Sequence, residues 1–585
     1  MLALTAVAGP FGLLCGGEST RSGPTTYCNP IDIDYPYNFE QKSRGISYRS
    51  AADPVIVPHE GAYYLFATIS GGWWRSSDLA TWRFVRPSIW PKEDMCAPAA
   101  LSTGGKIYLF QSTFDRRPVY VTDTPWDGRL SVFQPLLPLL PGAPGPWDPA
   151  FFRDPDTGRW FLYFGSSNLY PLGGIELELG RELTYVGTTK ELVRLRPDLH
   201  GWERFGRDHR ETTAPFIEGA WMTKHAGKYY LQYAAPGTEH NVYANGAYVG
   251  DGPLGPFEYA PNNPIAYKPG GFVTGAGHGN TFQDKHGNWW NTGTPWIAVN
   301  FDFERRIALF PAAFDTDGLL HASSRFGDFP HRVPDRAVAS TEDLFAGWML
   351  LSYHKPCTAS SYLDGYPPAP VTDEDPRTFW VAGTSNAGEW LEVDLGPDRW
   401  VHAVQVNFTD YHSGLYGSDD SVYTAFRLHH STDGREWKLI ADLSKSEARR
   451  DRPNAYLEVD PPVRTRWIRY EHVHVAAPQL AISDLRVFGR KDGDPPRTPA
   501  GLTARCDALD PRNALLTWEE SPGAVGYNVL WGIRDDKLYQ TYQVFADPRP
   551  RLEIRALTVG QRYSFAVEAF NECGVSAPSS PVPGG

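Results

Sequence analysis

The sequence predicts an all-β protein: a five-bladed β-propeller, then a jelly-roll β-sandwich, then a second β-sandwich. Three observations support this fold class. The chain is rich in aromatic residues (14%), Gly (56) and Pro (51), and amphipathic helical patterns are scarce, which is typical of short strands joined by turns. One motif recurs five times between residues 50 and 330. Beyond residue 340 this repeat stops and alternating apolar and polar residues predict further strands.

The recurring motif consists of a turn-forming dipeptide, an apolar run, a glycine turn and an aromatic strand. Intervals of roughly 44 to 70 residues separate the copies, as in propeller blades, whose innermost strands begin near a central channel. The first residues of the copies should therefore line one shared cavity. They are Asp53, Ala97, Asp148, Glu218 and His278.

Charge and the N-terminal segment limit the partners and the compartment. The formal net charge is −13 and no basic cluster interrupts the acidic excess, which excludes nucleic acid as an expected partner. Residues 1–28 are interpreted as the remnant of an export signal and a linker, with Cys15 as a candidate lipid-anchored cysteine. No other stretch approaches the ~18 apolar residues that span a bilayer. We expect a bacterial protein that is secreted, periplasmic or attached to the cell surface.

Composition and patterning also predict the domain boundaries. We expect the propeller at residues 29–340, the jelly roll at 350–490 and the last sandwich at 497–585. The acidic, proline-rich segment KDGDPPRTPAG separates the two sandwiches and is typical of a linker. In the last domain, Trp518 has the pattern of a buried residue, and Tyr563 has the position of the tyrosine corner of seven-stranded sandwiches.

Six cysteines occur, and none forms a CxxC metal pair. Cys506 and Cys573 fall in the same predicted domain. An oxidising compartment would allow them to form a disulfide, and two buried thiols are the alternative.

Three of the five copies of the motif begin with a carboxylate, namely Asp53, Asp148 and Glu218. Any one of them could be turn chemistry, since Asp-Pro and Glu-Gly pairs favour tight bends. Three carboxylates at equivalent positions of one repeat instead indicate a site. Hydrolysis of a glycoside needs one carboxylic acid to protonate the leaving oxygen and one carboxylate to activate water or attack the sugar. The acid stays protonated near neutral pH when burial or a neighbouring negative charge raises its pKa.

The motifs RSAADPVIV, PWDPAFF and FIEGAWM around these carboxylates resemble those of glycoside hydrolase family 43, in the same order, over residues 45–325. The resemblance implies an inverting mechanism with Asp53 as general base and Glu218 as general acid. Asp148 would raise the pKa of the acid and hold it in place. The implied activity is removal of a terminal arabinofuranose, xylose or galactofuranose from a polysaccharide or oligosaccharide, without an organic cofactor.

The same resemblance suggests residues around the carboxylates. In GAGHGNTF, His278 resembles the histidine that faces a metal ion, often calcium, or a water in the channel, and a buried structural histidine is the alternative. In RRIALFPAAFDTDG, Arg305 is preferred over Arg306 as the substrate-facing arginine. Sugar stacking is expected of tryptophans near the carboxylates, although such residues also pack blade against blade. The candidates are Trp74, Trp147 and Trp221.

Two features depart from this pattern. The second copy begins with Cys96-Ala97-Pro98, where many relatives have Trp before Ala-Pro, so one wall of the pocket should differ. The triplet Arg153-Asp154-Pro155 resembles that of fructan-cleaving propellers, which retain configuration with an Asp nucleophile. Asp148 begins the blade whereas Asp154 falls in a predicted turn, and Asp148 is therefore preferred.

The two C-terminal domains resemble known modules. The segments DEDPRTFW and EWLEVDLG resemble the discoidin or coagulation factor type C (F5/8 type C) domain, a galactose-binding-like fold that would bind sugar in its loops or act as a spacer. Residues 497–582 resemble fibronectin type III. The alternative to an enzyme is a non-catalytic carbohydrate-binding surface protein, and a weaker one is an adhesion protein with the propeller as scaffold.

Overall fold

The computed structural model describes residues 25–89, 96–113, 115–445, 449–546 and 550–584. Cys15 and the export-signal segment up to residue 24 lie outside the described residues. Strands make up the regular structure, and among the described residues the helical segments are all short 3-10 turns. No helix in these ranges is long and apolar enough to cross a membrane. The 3-10 turns are Lys42–Arg44, Gly201–Glu203, Arg207–His209, Thr341–Leu344 and Ala369–Thr372.

Five antiparallel sheets of four strands each, connected in sequence order, form the blades of a propeller. Blade 1 contains Val55–His59, Ala62–Phe66, Trp73–Ser76 and Arg83–Val85. Blade 2 contains Ala99–Thr103, Lys106–Phe110, Val119–Thr122 and Ser131–Gln134. Blade 3 contains Ala150–Arg153, Trp160–Phe164, Leu172–Leu179 and Leu183–Val193. Blade 4 contains Glu218–His225, Lys228–Ala235, Ala244–Gly250 and Phe257–Tyr259. Blade 5 contains Thr281–Gln283, Trp289–Gly293, Ala308–Phe314 and Leu320–Ala322.

The blades close into a ring around the first strands. Each first strand contacts the first strands of both neighbouring blades, and that of blade 5 contacts that of blade 1. The strand Thr26–Tyr27 pairs with His331–Arg332 and joins the two ends of the propeller. The predicted five-bladed propeller is confirmed, and the first strands bring residues that are far apart in sequence to one axis.

In four blades, a residue with left-handed backbone geometry precedes the first strand. In blade 4, the second residue of the first strand has this geometry. The φ angles are 54° at Asp53, 38° at Ala97, 42° at Asp148, 63° at Gly219 and 45° at His278. A non-glycine residue in this region costs of order 1–3 kcal/mol and persists where the surroundings impose it. In blade 4 the glycine adopts the turn, and the carboxylate comes from the residue before it, Glu218.

Hydroxyl side chains link each of three blades to the next. Thr294 of blade 5 accepts a hydrogen bond from the Asp53 backbone N–H at 2.9 Å. Thr68 of blade 1 accepts one from Ala97 at 2.8 Å, and Ser112 of blade 2 accepts one from Asp148 at 3.0 Å. These bonds satisfy the buried N–H groups of the left-handed residues and fix their orientation toward the axis.

The second domain is a β-sandwich built from a sheet of eight strands around one apolar core. Its two longest strands, Trp390–Phe408 and Asn454–His474, pair along most of their length with two register shifts. The core contains Trp380, Leu391 and Tyr470, all fully buried. The remaining strands are Met349–Leu350, Cys357–Ala359, Trp380–Val381, Ala425–Ser431, Lys438–Asp442 and Ala481–Lys491.

The third domain consists of two facing sheets. One sheet contains Thr503–Cys506, Ala514–Thr517 and Arg551–Ile554. The other contains Gly526–Gly532, Gln540–Phe545, Ser564–Asn571, Gly574–Val575 and Val582–Pro583. The disulfide alternative is wrong, because Cys506 and Cys573 both carry free, partly buried thiols.

All three domains share apolar contacts. Phe329, from the end of the propeller, lies 5.7 Å from Phe488 of the second domain and 6.4 Å from Phe570 of the third, measured between ring centroids. The third domain also packs on blade 4 in one continuous hydrophobic cluster. Arg204 fixes this contact through an ion pair with Asp510 at 2.8 Å.

Candidate active site

A cavity of about 370 Å³ lies where the first strands of the blades begin. It brings together five of the predicted site residues. Its walls come from all five blades and from the segment that precedes blade 1. The lining residues are Asn38, Glu40, Gln41, Tyr48, Asp53, Thr68, Ile69, Cys96, Ala97, Asp148, Ser166, Glu218, Thr238, His278, Phe301, Phe303 and Arg305.

Asp53 is held as an ionised carboxylate. Its Oδ2 accepts a hydrogen bond from Thr68 Oγ1 at 2.5 Å, and its Oδ1 lies 3.2 Å from His278 Nδ1 and 3.6 Å from Arg305 Nη1. Burial opposes ionisation, but the charges of His278 and Arg305 and the hydrogen bond from Thr68 outweigh it and lower the pKa of Asp53. A carboxylate in this state can accept a proton from water.

The pKa of Glu218 is shifted in the opposite direction. Ser166 Oγ donates to its Oε2 at 3.0 Å, and the Tyr243 hydroxyl donates to its Oε1. Burial raises the pKa of Glu218 and the negative charge of Asp53 adds to this, against the opposing effects of His278 and these two hydrogen bonds. A carboxyl group that keeps its proton toward neutral pH is suited to general acid chemistry.

Asp148 couples to Glu218 through like charge. Burial raises the pKa of Asp148 to about 7, His278 opposes the shift, and the charges of Glu218 and Asp53 increase it. Ser112 Oγ donates to Asp148 Oδ1 at 3.2 Å. Two neighbouring buried carboxyls resist double ionisation, so Asp148 and Glu218 retain a shared proton toward neutral pH.

His278 lies among the three carboxyls. Its Nδ1 lies 3.2 Å from Asp53 Oδ1 and 3.7 Å from Asp148 Oδ2. Burial favours the neutral ring, but Asp53, Asp148 and Glu218 together raise the pKa of His278 above its usual value. The raised pKa favours the imidazolium, which in this position orients Asp53 and compensates part of the negative charge in the cavity.

This arrangement does not fit the predicted calcium ligand. The ring nitrogen of His278 faces two carboxylates, and calcium prefers a shell of oxygen ligands. Within the part of the chain that the structure describes, no group of three or more His, Cys, Asp or Glu side chains is placed to hold a metal ion. Calcium binding stays a prediction, and no chemical step below depends on it.

Arg305 lies in the cavity and Arg306 does not. Arg305 Nη1 donates to Thr238 Oγ1 at 3.2 Å, and its guanidinium lies 5.5 Å from the ring centroid of Phe303. Arg306 is buried against the second domain, where its Nε donates to Asn454 Oδ1 at 3.1 Å. Arg305, the arginine that the sequence spacing favours, is therefore the one that lies beside Asp53.

The tryptophan predictions need correction. Trp74 is fully buried in the third strand of blade 1 and packs on Phe84, because third strands lie far from the channel. Trp221 is packed between blades, and its indole Nε1 donates to the Thr281 carbonyl at 3.0 Å. Neither is among the described residues that line the cavity. Trp147 lies next to Asp148 but lines a neighbouring groove on blade 3.

The structure shows where the two departures from the family pattern lie, at Cys96 and at Asp154. Cys96 lines the cavity as the residue before Ala97, and burial raises the pKa of its thiol to about 12. Asp154 is not among the described residues that line the cavity. Lys224 Nζ pairs with it at 2.8 Å, and the Tyr229 hydroxyl donates to it at 2.7 Å. Asp154 is therefore occupied in a structural ion pair.

Sequence reasoning missed the hydroxyl groups that hold the carboxyls. Thr68, Ser112 and Ser166 each stand two residues after the second strand of their blade and donate to Asp53, Asp148 and Glu218 respectively. A signal was present, because the tripeptides Phe-Ala-Thr, Phe-Gln-Ser and Phe-Gly-Ser recur at this point of the first three blades. Tyr243, which also donates to Glu218, has no counterpart in the motif.

The segment 37–48 forms one wall of the cavity and is held by the second domain. Tyr37 and Gly417 exchange two backbone hydrogen bonds of 3.0 and 2.7 Å, and Ser47 Oγ donates to the Leu415 carbonyl at 2.7 Å. Just after this segment, Arg49 Nε pairs with Asp410 at 2.9 Å, with side chains 4% and 0% exposed. The pocket therefore depends on a buried ion pair between domains.

We expect Asp410→Ala to destabilise the protein by about 3–5 kcal/mol, because it leaves the buried Arg49 guanidinium with Asp451 alone and removes the acceptor of the Arg49 N–H and the Tyr37 hydroxyl. The midpoint of denaturant unfolding, followed by tryptophan fluorescence, measures the loss. Asp420→Ala in the same domain is the matched control, since Asp420 is exposed. Equal midpoints for both variants would contradict the role of the ion pair.

Comparison with known proteins identifies two families whose models match parts of this chain. Residues 44–319 match the model of Glycosyl hydrolases family 43, and residues 356–480 match the model of the F5/8 type C domain. These matches support a family 43 glycoside hydrolase domain formed by the propeller, followed by an F5/8 type C domain.

Individual relatives are distant. Xylosidase/arabinosidase 43A of Humicola insolens is 28% identical over 207 residues, which cover 29% of this chain and 58% of that protein. Beta-D-galactofuranosidase xynD of Aspergillus niger is 27% identical over 135 residues, 23% of this chain and 33% of that protein. A solved structure described as a glycoside hydrolase has 18% identity and a TM-score of 0.46, covering 75% of this chain and 97% of that one. The chain thus matches little more than half the length of the first of these relatives.

Proposed function

We propose that the protein is an inverting glycosidase that removes one terminal sugar from a polysaccharide or oligosaccharide. The observation that carries this proposal is that two carboxyls of one buried cavity have pKa values shifted in opposite directions. The pKa of Asp53 is lowered and the pKa of Glu218 is raised. Inversion needs a carboxylate base and a protonated acid acting at the same time.

In the proposed reaction, Asp53 takes a proton from a water molecule as the water oxygen attacks the anomeric carbon. Glu218 gives its proton to the glycosidic oxygen, and the bond between that oxygen and the anomeric carbon breaks. His278 and Arg305 keep Asp53 ionised and oriented before the attack. Proton exchange with solvent then returns Asp53 to the carboxylate and Glu218 to the acid.

The cavity supports action on a chain end or side branch. Its volume of about 370 Å³ lies near the small end of the range for ligand sites. Segment 37–48 and Phe303 contribute to its walls. An enclosure of this size suits one sugar residue in the position that is cleaved, which is the requirement for exo action.

Arabinofuranose, xylose and galactofuranose are the proposed classes of terminal sugar. Support comes from the match to Glycosyl hydrolases family 43 and from the names of the two relatives, a xylosidase/arabinosidase and a β-D-galactofuranosidase. The panel of nitrophenyl glycosides separates the three sugars.

We also propose roles for the remaining parts of the chain. The last domain is assigned to the fibronectin type III fold, supported by the Tyr563 hydroxyl, which accepts a hydrogen bond from the Thr558 N–H at 3.1 Å as in a tyrosine corner. The F5/8 type C domain is assigned to carbohydrate contact. Secretion or attachment to the surface of a bacterial cell follows from a polysaccharide substrate.

The proposal is tested with 4-nitrophenyl α-L-arabinofuranoside, β-D-xyloside and β-D-galactofuranoside. We expect turnover of one of these, with proton NMR showing the sugar released first in the inverted anomeric configuration. Release with retained configuration would overturn the inverting mechanism. Binding of arabinoxylan or galactofuran without hydrolysis of any glycoside would favour the non-catalytic carbohydrate-binding protein.

The pH dependence of the reaction tests the coupling between Asp148 and Glu218. Activity should fall on the alkaline side as the proton shared by these two groups is lost, with Asp148 titrating at about 7. We expect Asp148→Asn to move this alkaline limb of kcat/KM to lower pH, because a neutral amide no longer opposes ionisation of Glu218. An unchanged limb would show that Asp148 acts by position alone.

A further inference from the structure

A second cavity, of about 390 Å³, lies on blade 3 beside the catalytic cavity. We call it the blade 3 groove. It is formed where the strands Trp160–Phe164, Leu172–Leu179 and Leu183–Val193 meet the segment that enters the blade. Its side walls include Trp147, Phe164, Tyr170, Lys190, Glu191 and Arg194.

The groove adjoins the catalytic cavity at two pairs of consecutive residues. Trp147 lines the groove and Asp148 lines the cavity, and the same holds for Gly165 and Ser166. The Gly165 N–H donates to the Trp147 carbonyl at 2.7 Å and joins the two segments. The wall between the two spaces is therefore only a pair of backbones thick.

The side chains of the groove combine aromatic faces with a charged rim. The ring centroids of Trp147 and Tyr170 lie 6.0 Å apart with an angle of 46° between the planes, and Tyr170 is 50% exposed. Arg194, which also lines the groove, makes two hydrogen bonds of 2.8 and 2.9 Å to Glu191. Aromatic faces beside fixed polar groups match a sugar ring, which has apolar C–H faces and a rim of hydroxyl groups.

The position of the proposed general acid indicates on which side of the cavity the leaving group departs. Ser166, which separates the groove from the cavity, donates to Glu218 Oε2 at 3.0 Å. Arg305 lies beside the proposed base instead, with its Nη1 3.6 Å from Asp53 Oδ1. In glycoside hydrolysis the acid faces the oxygen of the leaving group, so the leaving group departs past Ser166 toward blade 3.

We propose that the blade 3 groove binds the sugar residues of the leaving group, next to the bond that is cleaved. The inference rests on the proposed function and adds a binding site for the rest of the substrate chain. Neutral sugar rings stack on Trp147 and Tyr170, and the pair of Glu191 and Arg194 contacts their hydroxyl groups. The protein then recognises an oligosaccharide rather than a free terminal glycoside.

The test compares Tyr170→Ala with wild type on two substrates of the same terminal sugar. One is the 4-nitrophenyl glycoside found in the panel, whose leaving group is too short to cover the groove. The other is an oligosaccharide of at least three residues with that sugar at its end. We expect kcat/KM on the oligosaccharide to fall about 3–10-fold, as for loss of one aromatic stacking contact. On the nitrophenyl glycoside it should change less than twofold.

Leu169→Ala is the matched control, because Leu169 is a neighbouring exposed side chain that is not among the described residues lining the groove. A second variant, Arg194→Ala, tests the charged part of the groove and should show the same preference for the short substrate. Equal effects of Tyr170→Ala on both substrates, or none on either, would overturn the groove proposal while leaving the proposed function intact. A wild-type protein that hydrolyses no glycoside would instead remove the proposed function.

Discussion

Asp53→Asn should reduce kcat about 10²- to 10⁴-fold on every glycoside that the protein hydrolyses, whatever the leaving group. An amide of nearly the same shape cannot take the proton of the attacking water. The fold should be preserved, since Thr68 Oγ1 and the Asp53 backbone keep hydrogen-bonding partners. Steady-state rates on the nitrophenyl glycoside measure the loss.

Azide provides a second readout for this variant. Azide attacks the anomeric carbon without needing a base, while Glu218 still protonates the leaving oxygen. We expect azide to restore part of the activity of Asp53→Asn and to yield a glycosyl azide of inverted configuration. Asp154→Asn is the matched variant on the same propeller. If Asp154→Asn lost the chemistry and Asp53→Asn kept it, the base would have been misassigned.

Glu218→Gln should have an effect that depends on the leaving group. The proton of Glu218 is needed when the departing oxygen is a poor leaving group, as in an oligosaccharide, and there we expect a loss of about 10²- to 10⁴-fold. A 2,4-dinitrophenyl glycoside departs without protonation, so its hydrolysis should fall far less. The ratio of the two losses is the measurement.

The same variant should also move the alkaline limb of the pH profile to lower pH, because Asp148 then titrates without the negative charge of Glu218 beside it. Glu182→Gln, at an exposed turn of blade 3, is the control for a change of charge. Equal losses on good and poor leaving groups would show that Glu218 is not the acid. Another group would then donate the proton, and Tyr243 and Ser166 would be candidates for its hydrogen-bonding partners.

The propeller and its carboxyls were predictable because they follow a repeat. A turn residue at the start of each blade places its side chain on the axis whatever the rest of the blade contains. Glu218 fits this rule only in part, since Gly219 holds the left-handed turn. Local sequence determined the site residues that belong to the turn itself.

The tryptophans could not be predicted in this way, because whether a side chain reaches the channel depends on how far the residue lies from the axis. Trp74 and Trp221 lie close in sequence to site residues, yet both pack between blades. Long-range contacts were equally hidden. Nothing in segment 37–48 indicates that Gly417 and Leu415, more than 350 residues away, hold it in place.

The buried contacts between the domains bear on how this protein could be divided. A propeller ending at residue 340 would leave Arg49 without Asp410, Arg306 without Asn454, and Phe329 facing water. It would also uncover the apolar side of blade 4 against which the last sandwich packs. An isolated catalytic domain should therefore misfold or aggregate. Any exchange of either sandwich for another binding module, in evolution or in the laboratory, would have to rebuild the wall of the sugar pocket.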